Sequence, residues 1–152
     1  MLHTSRIRGF TLIELIVTLA VLAVIVAVAV PNYTEFIRNN QIQAETNEIA
    51  QLIQYARSQA VSQRVSRSIS ISDETWTVAS GLADERIFEP KSGTGIKAAE
   101  STITFNAMGV MTVPTSAVQV DVCHTANSKI GYRITVSRSG STSIARLGTC
   151  TL

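Results

Sequence analysis

The chain has 152 residues, 45% hydrophobic and 16% charged, with a formal charge of +2. Setting aside Arg6 and Arg8, which precede a long apolar run, leaves 11 basic side chains against 11 acidic ones, a balance that excludes a global attraction to nucleic acid. Outside that run about 120 residues remain, enough for one small domain with a core and too few for two.

Met1 to Gly9 carries Arg6, Arg8 and His3 and no acid. This bias keeps the N-terminus cytoplasmic and sends the rest across the membrane. Phe10 to Val30 then gives 21 residues, apolar or small except Thr11, Glu14 and Thr18. As a helix this run is roughly 31 Å long, about the thickness of a bilayer's hydrocarbon core. Glu14 is its one carboxylate, and a charge inside lipid costs on the order of 2.5–3.5 kcal/mol. Such a group calls for a cation, and nothing else in the span supplies one. Two plainer readings compete: a signal peptide cut at Ala27-Val28-Ala29, and a bitopic anchor that tolerates Glu14. Against the first, the apolar region is longer than a signal peptide's usual 7–15 residues, contains Glu14 and is followed closely by Pro31.

Pro31 breaks or kinks the hydrogen-bond ladder. Beyond it Phe36, Ile37, Ile42, Ile49, Leu52, Ile53, Ala56 and Ala60 recur at spacings of three and four, with Glu45, Glu48, Gln51, Arg57 and Gln63 between them. The spacing predicts one helix from Phe10 to about Val65, apolar all round to Val30 and amphipathic over 31–65.

From Val65 the period becomes two, and Val65–Ser72 reads as a half-buried strand. Asp73-Glu74 reads as a turn and Thr75–Ala79 as a strand. Ser80–Glu100 reads as an acidic loop with a short strand near Ile87-Phe88. Further strands are expected at Thr102–Phe105, Val110–Val113, Val118–Val122, Gly131–Val136 and Thr142–Arg146, the last two joined across Arg138–Ser141. The expected class is α+β, a long helix packed on an antiparallel sheet, with 66–152 as the β-rich domain.

An exported domain lies in an oxidising compartment, where Cys123 and Cys150 pair as a disulfide closing a loop of about 27 residues, a constraint worth roughly 3–4 kcal/mol. Cys123 with His124 is too small a set for a metal site. No Ser-His-Asp set, phosphate loop or paired carboxylates indicates an enzyme or a cofactor, and Gly93-x-Gly95 is too short to hold a phosphate. The charge is uneven: residues 73–100 hold six acids and three bases, while residues 121–152 hold Lys129, Arg133, Arg138 and Arg146 against Asp121. Those four cations are the candidate phosphate contacts for DNA, against the simpler reading of a solvated face.

Gly9-Phe10-Thr11-Leu12-Ile13-Glu14-Leu15, with its basic leader and apolar helix, resembles the class III signal of type IV pilins and of the pseudopilins of type II secretion. The resemblance implies that residues 1–9 are a leader, cut after Gly9 by a prepilin peptidase that then N-methylates Phe10. It further implies that Glu14 meets the N-terminal amine of a neighbouring subunit, the cation the span lacks. The implied partners are other major and minor pilins or pseudopilins and an inner-membrane assembly platform, with ATP hydrolysis left to a separate motor. The implied location is the bacterial inner membrane, with the C-terminal domain periplasmic, and then the fibre.

Leu52–Val61 and Ile103–Gly109 resemble the GspH/FimT/FimU branch of minor subunits. Relatives there prime assembly near the tip of a type IV pilus or of a secretion pseudopilus, and some bind DNA. DNA-binding members carry a Gly-Arg-x-Arg element near the C-terminus. Here Gly140 is followed by Ser141-Thr142-Ser143, which favours an assembly role.

Overall fold

A computed structural model describes residues 10–72, 75–79 and 86–151. The chain divides into two compact units, residues 1–37 and 38–152. A single helix, α1 (Leu12–Gln63, 52 residues), contributes to both. Thr11 caps its start: the Glu14 N–H donates to Thr11 Oγ1 at 3.3 Å and the Leu15 N–H to the Thr11 carbonyl at 3.2 Å. Pro31 lies inside α1 without ending it. In the first unit every residue from Phe10 to Ile37 is exposed, so Phe36 and Ile37, expected in the packed stripe, are not in it.

In the second unit the buried stripe starts at Ile42 and continues through Glu45, Thr46, Ile49, Ile53, Ala56 and Ala60. Glu45 corrects an expectation, because it falls three residues after Ile42 and four before Ile49 and therefore faces inward. Its carboxylate accepts from Gln41 Nε2 at 3.3 Å and from the Lys91 N–H at 3.4 Å, and Gln41 also donates to the Ser92 carbonyl. The helix ends with Arg64 in the left-handed region (φ 55°) and the Val65 N–H bonded to the Ala60 carbonyl, a Schellman-type closure without glycine.

Among the described residues nine strands follow: β1 Arg67–Ile71, β2 Trp76–Ala79, β3 Arg86–Phe88, β4 Thr94–Ala98, β5 Thr102–Phe105, β6 Met111–Val113, β7 Val118–His124, β8 Asn127–Val136 and β9 Thr142–Arg146. They form two antiparallel sheets, ordered β3-β2-β1-β5-β6 and β4-β7-β8-β9. Residues 94–98, expected within a loop, are a strand; the expected turn at 73–74 lies outside the described residues. Ile96 and Ala98 alternate toward the core and pair with Val122 and Val120, a long-range partnership that outweighs the local turn chemistry of Ser92-Gly93. The buried face of β1 carries Arg67 beside Ile69; its guanidinium donates to Gln63 Oε1.

The core joins α1 to both sheets through Ile49, Ile53, Ile69, Trp76, Phe105 and Ile134, among others. Two turns lock the sheets together where they meet the helix. Arg57 Nε donates to the Gly109 carbonyl at 3.0 Å, Gln54 Nε2 to the Gly140 carbonyl at 3.0 Å, and the Met111 N–H to the Arg138 carbonyl at 2.9 Å. Gly109 and Gly140 both have positive φ (75° and 81°), and a Cβ on Gly140 would lie 2.7 Å from Arg57 Cδ.

Cys123 and Cys150 form a disulfide, with Cα atoms 5.8 Å apart. Gly131 stands directly opposite Cys123 on β8, and a Cβ there would lie 2.8 Å from Cys150 Cβ. Gly131→Ala is therefore expected to leave most molecules with free thiols at Cys123 and Cys150, measured by alkylation of the denatured, unreduced chain. Arg64→Gly relieves the left-handed strain and is expected to raise stability by about 0.5–1 kcal/mol, read from the urea midpoint of the full chain in detergent.

Candidate assembly site

Phe10 is 80% exposed and Glu14 lies in the first turn of α1. Between Phe10 and Val30 no cation stands near the carboxylate, and Leu12, Ile13, Leu15 and Val17 around it are each more than half exposed. A helix N-terminus carries partial positive charge, so the first-turn position itself stabilises the carboxylate, by about 0.3–1 kcal/mol. The hydroxyls of the segment are internally satisfied: Thr18 donates to the Leu15 carbonyl at 2.9 Å and Thr34 to the Pro31 carbonyl at 2.8 Å. Asn32 likewise turns its amide onto the Val28 carbonyl at 3.1 Å. Glu14 is thus the one charge between Phe10 and Val30. Gly9 lies outside the described residues.

The helix is long and apolar enough to cross a membrane, and its most apolar stretch has no buried residue. Among the described residues this surface has no partner, and an apolar face of this length suits lipid or neighbouring helices.

The cations singled out for DNA do not converge. Arg133 faces away from the core and holds Asp121 at two points, Nε to Oδ1 at 2.6 Å and Nη2 to Oδ2 at 2.7 Å. Its hydrogen bond and its attraction to that carboxylate raise its pKa above the ordinary guanidinium value. Asp121 therefore neutralises the charge that phosphate would need. Arg146 pairs with Tyr132 across the β8–β9 ladder and so lies on the face opposite Arg133. Lys129 and Arg138 stand near opposite ends of β8, nine residues or roughly 30 Å apart along a strand. Sequence spacing shows that four bases fall in one region, but strand alternation decides which face each occupies.

Cys123 is committed to the disulfide, and His124 Nδ1 accepts from the Ala126 N–H at 3.0 Å. Among the described residues no three His, Cys, Asp or Glu side chains gather as metal ligands. Sequence reasoning missed Glu45 and Arg57, which tie helix to turns; the signal for Glu45 was its place between Ile42 and Ile49.

Comparison with known proteins agrees with this arrangement. The family model for the type II transport protein GspH matches residues 45–140, and that for the prokaryotic N-terminal methylation motif matches residues 4–30. The type IV major pilin protein PilA of Myxococcus xanthus is 46% identical over 43 residues, 28% of this chain and 20% of that one. A fimbrial protein of Pseudomonas aeruginosa is 26% identical over 97 residues, 57% of this chain and 63% of the relative. The chain therefore spans less than two thirds of the length of either of these relatives. The crystal structure of the type IV minor pilin FimU of P. aeruginosa is similar with a TM-score of 0.63 at 25% identity, covering 76% of this chain and 99% of that one. The minor pseudopilin EpsH of the Vibrio cholerae type 2 secretion system shares the fold, with a TM-score of 0.57 at 8% identity over 70% of this chain and 97% of EpsH. A capped helix whose apolar stretch up to Val30 bears one carboxylate, two antiparallel sheets on its second half, and these matches place the chain in the GspH family, within the type IV pilin and pseudopilin superfamily.

Proposed function

We propose that this chain is a minor pilin that primes assembly of a type IV pilus and is incorporated near its tip. The observation that carries the reading is the exposed apolar run Phe10–Val30 with Glu14 as its one charge. Such a surface is held in the inner membrane first and is then buried against neighbouring helices in a fibre. Cleavage after Gly9 by a prepilin peptidase frees the amine of Phe10, which the same enzyme methylates. In the fibre, Glu14 of one subunit pairs with the Phe10 amine of another. That pair removes an uncompensated charge, which in lipid costs roughly 2.5–3.5 kcal/mol, and it also sets axial register. The partners are thus other pilins, the peptidase and the assembly platform. The likeness to FimU across 99% of that structure supports the pilus over other fibres.

The match to the GspH family model supports a second reading, a minor pseudopilin of type II secretion. A strain lacking the gene separates the two. Lost surface pili with normal secretion assigns the chain to the pilus, and lost secretion with normal pili to the pseudopilus.

Glu14→Ala is expected to lower the amount of this chain in sheared fibres at least tenfold while the Cys123–Cys150 disulfide still forms, measured by immunoblot and thiol alkylation. Normal incorporation of that variant would sink the ion-pair mechanism.

A further inference from the structure

The apolar run of α1 ends at Val30, and from Leu15 to Thr34 there is no charged side chain; Glu35 and Arg38 are the first charges after Glu14. The edge of the hydrocarbon that this run would span therefore falls between Val30 and Glu35. Pro31 marks the same level. It has no N–H to give the Ala27 carbonyl, and a helix carbonyl left over in this way is best placed where water or a headgroup reaches it. Asn32 and Thr34 turn their side chains onto the Val28 and Pro31 carbonyls, so neither draws this turn out into bulk water.

Directly beyond that edge stand three large side chains that the protein leaves open. Tyr33 is 64% exposed, Phe36 59% and Ile37 47%. At 3.6 residues per turn the three share an arc of roughly 100°, and Glu35 and Arg38 lie outside it. On a soluble helix an apolar arc of this width packs on a core, but the buried residues of α1 begin only at Ile42.

Height along the helix identifies what covers the arc. Tyr33 lies roughly 4.5 Å beyond Val30 and Phe36 roughly 9 Å, and helical side chains lean back toward the N-terminus by about one residue. The headgroup layer extends about 5–7 Å from each face of the hydrocarbon, which brings both rings inside it. Tyrosine suits that layer, with an apolar ring and a hydroxyl that stays wet. Arg38 is exposed and holds no ion pair among the described residues, and its long stem lets the guanidinium reach back to lipid phosphate.

We infer that Tyr33 and Phe36, with Arg38 behind them, seat in the phospholipid headgroup layer and fix the depth at which the span is held before assembly. The inference rests on the part of the functional reading that holds this chain in a membrane first, whichever fibre it enters. Lipid is the occupant because the arc continues the span along one unbroken helix and stands at headgroup height. The depth matters at the far end. Glu14 precedes Val30 by 16 residues, roughly 24 Å of helix, which sets it about 6 Å inside the opposite edge of a 30 Å hydrocarbon layer. A carboxylate costs less there than at the centre.

The test uses the full-length chain in vesicles of phosphatidylethanolamine and phosphatidylglycerol that carry a spin label either in the headgroup or far down the acyl chain. Trp76, the one tryptophan, is fully buried, so the unsubstituted chain supplies an unquenched baseline. Tyr33→Trp and Phe36→Trp, made singly, are expected to be quenched about threefold more by the headgroup label than by the acyl label. Leu22→Trp should show the reverse, and Gln43→Trp should respond to neither label. Adding Tyr33→Ser and Phe36→Ser together should shift the Leu22→Trp quenching ratio about twofold, because the span has lost its stop. All variants are read with the Cys123–Cys150 disulfide formed. If neither label quenches positions 33 and 36, the inference is overturned, and the arc stays in water until other helices cover it. Stronger quenching there by the acyl label, or an unchanged ratio in the double serine variant, overturns it as well. Failure of the unsubstituted chain to float with the vesicles overturns the membrane reading, and the inference with it.

Discussion

The second unit depends on one stripe of α1. Ile42, Ile49 and Ile53 are fully buried, and each contributes about 2 kcal/mol of hydrophobic stabilisation relative to an exposed side chain. Ala56 and Ala60 continue the stripe with almost no side chain, which lets the sheets approach the helix closely near its C-terminal end. Neither sheet hides its inner face alone: β1 and β5 bring Ile69, Ile103 and Phe105, while β7 and β8 bring Val120, Val122 and Ile134. The polar contacts of Gln54 and Arg57 sit at the edge of that burial, where the turns holding Gly109 and Gly140 come together. They add direction to an attraction that otherwise has none.

The same helix must satisfy two solvents. Up to Val30 its side chains are apolar on every side, because hydrocarbon or neighbouring helices surround that length in either setting. From Ile42 onward only one side needs to be apolar, and Gln43, Gln51 and Ser58 occupy positions exposed to water. The membership shown by the family model fits this division, since residues 4–30 and residues 45–140 match separate models, with residues 31–44 of the same helix between them.

Much of this was legible in the chain itself. The apolar run to Val30 and the spacings of three and four from Ile42 to Ala60 leave a clear record, and the strands that alternate locally, such as Ser68–Ile71 and Gly131–Val136, were readable for the same reason. What escaped depended on partners far away in sequence. Thr94–Ala98 reads as turn-rich until Val120 and Val122 are placed beside it. Glu45 reads as a surface acid until the Lys91 N–H and Gln41 arrive to satisfy it. The division into two sheets could not be read either, because it lies in which strands pair and not in their residues. The faces of the basic residues could not be read for a related reason: a stretch of 18 residues contains Lys129 to Arg146, yet strand alternation sets Arg133 and Arg146 on opposite faces.

Gly131 gives the disulfide a further meaning. The hole opposite Cys123 exists only in the observed pairing of β7 with β8, since the residues to either side of Gly131 are Ile130 and Tyr132. A slip of one residue would set one of those bulky side chains against Cys123 and turn the remaining side chains of the strand to the wrong face. The disulfide therefore closes on the aligned hairpin, and its formation reports the register of β7 against β8.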